Sequence, residues 1–135
     1  REVKRRGEAH LLPLIIDLSN PSPAIGWANG ERDSFAARGG VDLVLALALV
    51  HHLAIGNNVP LVRIAHFLST LTQHLIVEFV PKEDPKVQTL LASRRDIFAD
   101  YTREGFEAAF GTVFTIVETR DVENSLRRLY LMRRK

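Results

Sequence analysis

Two adjacent histidines, His51 and His52, close the longest apolar run of this chain. Histidine is the side chain best suited to exchange a proton near neutral pH, so either one could take a proton from a hydroxyl or an amine. The competing role is to pack against, or cap, a helix. Their spacing is wrong for a metal: neighbours on a helix diverge by about 100°, zinc is gripped by histidines four apart, and no His-Glu-x-x-His pattern is present. Two acids stand at the ends of other apolar runs. Asp17 would lie at the carboxyl end of a strand, where open α/β sheets place their ligands, or it caps the Ser-Asn-Pro turn that follows. Glu78 could face a binding pocket or pair with Lys82 or Arg32. Trp27 and Asn29, with Glu31 and Arg32, sit in a long loop suited to a binding lid, although Trp27 could simply cover the sheet end. Arg94, Asp96, Asp100 and Tyr101 read as a structural polar cluster, and His10, His66 and His74 are scattered without a role.

Short apolar runs of strand length must position these groups. Leu11 to Leu18, Val41 to Leu47 and Leu75 to Val80 are nearly continuous in hydrophobic residues, as strands covered on both faces of a parallel sheet would be. The second is also rich in helix-favouring Ala and Leu, but the breaks at Gly39-Gly40 and Gly56 leave little room for a helix. Helical periodicity lies between and after them. Pro60 to Thr72 repeats Leu61, Ile64, Ala65, Leu68 and Leu71 on one face. A second helix starts with Asp84 as cap and Pro85 at its first position, a third runs from Thr102 to Phe110 and ends at Gly111, and Glu31 to Arg38 adds a short one. After Gly111 the period becomes two, and Val113 to Val117 and Ser125 to Met132 form a hairpin around a charged turn.

Composition excludes several classes. The 135 residues, 46% hydrophobic and 25% charged, suit one globular domain. A formal charge of +2 is too small to imply a polyanionic partner. Basic residues gather at both ends (Arg1, Lys4, Arg5 and Arg6; Arg127, Arg128, Arg133, Arg134 and Lys135) and read as solvated termini. Without cysteine there is no disulfide or thiolate metal site, and a reducing, cytoplasmic compartment is expected. No apolar run approaches the roughly 20 residues of a membrane helix.

The order of strands and helices resembles the second half of a class I S-adenosylmethionine-dependent methyltransferase, whose sheet has seven strands with the last inserted antiparallel to the rest. Leu12 to Asp17 would be its third strand, Val41 to Leu47 its fourth, Leu75 to Val80 its fifth, and the final hairpin its sixth and seventh. The phrases Asp17-Leu18-Ser19-Asn20-Pro21-Ser22-Pro23, Gly26-Trp27-x-Asn29-x-Glu31-Arg32, Glu78-Phe79-Val80-Pro81-Lys82 and Arg94-x-Asp96-Ile97-Phe98-x-Asp100-Tyr101 are similar to a bacterial subgroup of nodulation-protein-like methyltransferases.

That resemblance implies an α/β fold, a partial Rossmann-like and mostly parallel sheet ending in an antiparallel hairpin. It implies S-adenosyl-L-methionine as cofactor, with Asp17 at the adenine amino group, Leu18 beside the ring, and the backbone of Ala46, Leu47 and Ala48 along the methionine part. His51 and His52 would stand at the rim of the methyl-transfer site, with Trp27, Asn29 and Glu78 toward the acceptor. The glycine-rich turn and the acidic residue of the family's first two strands do not occur before Leu12. Residues 1–135 are therefore expected to be a single incomplete domain, inactive alone. Its expected partners are the missing amino-terminal half of its own domain or a second copy across an exposed sheet edge, with neither membrane nor nucleic acid. A non-catalytic methyltransferase-like interaction module is the alternative. A nucleic-acid binder ranks behind both, because aromatics are only 7% and are not interleaved with the arginines.

Overall fold

The computed structural model describes residues 5–7 and 9–135. Four strands, β1 (Val41–Ala46), β2 (Thr72–Phe79), β3 (Phe114–Asp121) and β4 (Arg128–Arg134), form one mixed sheet in the order β1-β2-β4-β3. β1 runs parallel to β2, Leu43 opposite His74 and Ala46 opposite Val77. β4 lies antiparallel to both neighbours, with Leu75 opposite Met132 on one side and Thr119 opposite Tyr130 on the other. One neighbouring pair is parallel and two are antiparallel, so the sheet is mixed: β1, β2 and β3 run in one direction and β4, in the expected antiparallel hairpin, runs against them.

Three helices follow from local signals. α1 (Leu61–Leu71) begins after Pro60, which stands at the cap with ψ 139° and not inside the first turn, and passes into β2 at Thr72 without a loop. α2 (Pro85–Leu91) is capped by Asp84, whose carboxylate accepts the Lys86 N–H. α3 (Arg103–Gly111) is capped by Thr102, whose hydroxyl accepts the Gly105 N–H. At Gly105 a side chain would collide with the Asp100 carbonyl oxygen, so only glycine allows this close entry to α3. Thr102→Ala is expected to lower stability by about 1 kcal/mol, read as a lower urea midpoint with an unchanged slope.

The core lies on one face of the sheet. Leu75, Val77 and Phe79 of β2, Tyr130 and Met132 of β4 and Phe114 of β3 are buried together with Ile64, Ala65 and Leu68 of α1 and Phe106 and Phe110 of α3. The other face is uncovered along β1, where Val41, Leu43 and Leu45 are 45–59% exposed. The continuous apolar runs had implied cover on both faces; alternation of side chains across β1 instead leaves one apolar row open.

Two expected elements do not form. Leu11 to Leu18 makes no strand; Leu12, Leu14 and Ile15 are 63–106% exposed. Pro13 has no N–H to give a ladder, and the segment instead borders an open groove of about 650 Å³ together with Phe35, Val41 and Val44. Glu31 to Arg38 is a series of turns, with Ile25 bridged to Arg32 and the Ser34 hydroxyl accepting the Ala37 N–H, so no helix follows.

Arg127, Arg128 and Arg134 make structural contacts, which corrects their reading as solvated, whereas Arg133 is exposed. Arg128 grips Asp121, Arg134 donates to the Ser69 carbonyl, Lys135 to that of Gly111, and Arg127 enters the site below. Arg1 and Lys4 lie outside the described residues. Among the described residues no helix is long and apolar enough to cross a membrane.

Candidate functional site

Because β1 and β2 are parallel and adjacent, their carboxyl ends open on the same side, and the turn after β1 comes to lie beside the end of β2. β1 ends at Ala46, 1% exposed. The chain then turns sharply through Leu47, 54% exposed, and Ala48, whose φ of 49° lies in the left-handed region that alanine rarely enters. Glu78 of β2 holds this turn: its Oε2 accepts the Ala48 N–H at 2.6 Å. Its Oε1 faces Arg127 at 3.5 Å, so neither Lys82 nor Arg32 is its partner.

Arg127 ties three elements together. Its Nε donates to Asp84 Oδ2 at 2.8 Å and an Nη to Oδ1 at 3.4 Å, joining the connecting turn of the β3–β4 hairpin to the start of α2. Glu78 and Asp84 are 8% and 6% exposed, so one guanidinium offsets two shielded carboxylates. The Arg127 hydrogen bond is the main reason the Asp84 carboxyl is held below its ordinary range. An open cleft of about 380 Å³ lies against Glu78, Asp84, Asn124 and Arg127.

His51 completes the cluster. It is 1% exposed, lies in the helical turn that begins at Val50 and continues as a π-helix over His52–Gly56, and its Nδ1 has no hydrogen-bond partner among the described residues. Burial, followed by the neighbouring His52 and Arg127, pushes it down to about 4 against the pull of Asp84 and Glu78. At neutral pH the imidazole is therefore uncharged, a weak base with one unsatisfied ring nitrogen. The His52 ring lies 4.2 Å from it but is exposed. No group of three His, Cys, Asp or Glu suited to a metal occurs among the described residues.

Other expected site residues are not brought here. Asp17 is exposed and accepts the Ser19 N–H at 2.9 Å and hydroxyl at 2.6 Å, so it caps its turn. The groove it borders includes none of Ala46, Ala48, His51 or Glu78. Leu18 packs partly buried against the core. Trp27 is 87% exposed and Asn29 is exposed with φ 56°. Arg94, Asp96 and Tyr101 do not cluster: Arg94 binds the Ile55 carbonyl and Asn58, Asp96 binds Lys82, and the Tyr101 hydroxyl donates to the Val80 carbonyl. Arg127 and Asp84 escaped notice as site residues because one sat in a basic run and the other served a helix cap.

Over 125 residues the chain is 44% identical to the nodulation protein NoeA of Rhizobium meliloti (strain 1021), a match covering 93% of this chain and 26% of NoeA. The chain is similar to NoeA over nearly its whole length. That supports the nodulation-protein likeness seen in the Asp17, Gly26, Glu78 and Arg94 phrases. The chain spans about a quarter of the relative's length. No protein-family model and no solved structure matches it.

Proposed function

We propose that this chain is the carboxyl-terminal part of an S-adenosylmethionine-dependent methyltransferase catalytic domain of Rossmann-like fold. The observation that carries this reading is the sheet order β1-β2-β4-β3, in which the final strand is inserted antiparallel beside a parallel pair, as the resemblance implies. His51, Glu78 and the Ala46 to Ala48 backbone gather at the carboxyl ends of that pair. Ala46 and Ala48 carry small side chains that let a ligand approach the backbone, and Leu47 is exposed beside them. A sulfonium methyl is already activated, so the protein need only hold the acceptor in line in a dry cleft. His52, exposed at the rim, is the histidine placed to meet the acceptor, and His51 lies enclosed behind it. Asp17, Leu18, Trp27 and Asn29 reach the ligand only if the segment before β1 rearranges.

The cofactor cleft is completed by the residues that precede this half in the domain, and these cover the open edge and apolar row of β1. A second copy across that edge is the other way to cover it. Calorimetric titration of S-adenosylhomocysteine into this chain and into a form extended upstream of Arg1 tests the reading. Binding by the extended form, with this chain weaker by at least about tenfold, or 1.4 kcal/mol, is expected. No binding by either favours the non-catalytic interaction module, for which the exposed β1 edge is the specific observation.

A further inference from the structure

We propose that Arg127 is a positioning residue: acting through Glu78, it holds the left-handed backbone at Ala48, and with it the turn leading to His51, in the shape the cleft requires. This rests on the methyltransferase reading for the purpose of the cleft, but not for the linkage itself. The linkage is a chain of direct contacts. The guanidinium sits 2.8 Å from Asp84 and 3.5 Å from Glu78, and the second Glu78 oxygen holds the Ala48 N–H at 2.6 Å. Arg127, 3.5 Å from the first Glu78 oxygen, steadies the side-chain conformation that carries the second oxygen to that amide. Ala48 needs such a restraint because its φ of 49° is disfavoured for any residue with a Cβ. Glycine would not need it.

A lysine cannot reproduce the fork that binds Asp84 through two nitrogens while facing Glu78, although it keeps the charge. R127K therefore separates geometry from charge, and keeps the two shielded carboxylates neutralised if R127Q fails to fold. In the full chain, R127K and E78Q are each expected to speed hydrogen exchange of the Ala48 amide about tenfold, corresponding to loss of about one such bond. Amides paired between β2 and β4 should keep wild-type rates, which a general loss of stability would not allow. The effects of A48G and R127K on the urea midpoint should fall short of additive, because A48G removes the need for the restraint. In the upstream-extended form, A48G should restore the S-adenosylhomocysteine affinity lost in R127K. Unchanged Ala48 exchange, exchange that rises equally across β2 and β4, or strict additivity with A48G overturns the proposal. Absence of S-adenosylhomocysteine binding by the wild-type extended form would overturn the methyltransferase reading alone, since exchange and additivity are read without cofactor.

Discussion

Phe106→Ala is expected to remove most of the stability of the chain. The ring is wholly buried and lies 4.3 Å from Phe110, 5.0 Å from Tyr130 and 5.1 Å from Phe79, so it joins α3 to both central strands. Truncation removes its transfer free energy and leaves a cavity walled by rigid rings, together costing about 3–5 kcal/mol. The whole stability of a domain is about 5–15 kcal/mol, and one open sheet face puts this chain toward the low end. Far-ultraviolet circular dichroism and a urea titration check this. A cooperative transition with a midpoint near that of wild type would show that the cluster is not the anchor of the core.

Acid is expected to destabilise the protein through His51 well before its carboxylates titrate. The group is held at about 4 in the fold, against 6.5 when exposed. The unfolded chain therefore takes up a proton first as the pH falls, and the folded form is favoured least once the pH has dropped below both values. Stability from this histidine is complete above pH 6.5 and is lost between about 6.5 and 4, amounting to about 3 kcal/mol. Asp84, depressed by Arg127, contributes in a separate window that opens only as the pH drops through the carboxylate range. Guanidinium titrations at pH 7.0 and 4.5 should show the loss in wild type and a nearly flat response in His51→Gln. Parallel pH profiles for the two proteins would mean that His51 is not buried as a neutral group.

The same burial changes the meaning of the histidine pair. Adjacent residues with identical chemistry differ because His51 points into the protein and His52 out of it. Spacing could say that they do not share a metal, but not which one is enclosed. The enclosed one is the poorer base and the more rigidly held ring.

Local rules carried α1, α2, α3 and the four strands, but not the helix expected over Glu31 to Arg38. Asp84-Pro85 and Thr102 are caps whose side chains satisfy amides two and three residues away, and the α1 stripe of Ile64, Ala65 and Leu68 is a one-face repeat, so nearest neighbours suffice to specify them. The hairpin was legible from its change of period, though not the bulge between Ile116 and Glu118. Leu11 to Leu18 shows where such rules stop: an apolar run becomes a strand only if an edge accepts it. What the amino-acid order alone determined is the place of α1, α2, α3 and the four strands, along with the nodulation-protein likeness, because those depend on residues close in sequence or on whole phrases. The pairing of β1 with β2, the uncovered face, and the meeting of Ala48, Glu78, Asp84 and Arg127 were decided by tertiary structure. Those residues stand up to 79 positions apart (Arg127 against Ala48), and only the closing of the sheet brings a hairpin arginine, a strand-end glutamate and a strained turn within hydrogen-bonding distance.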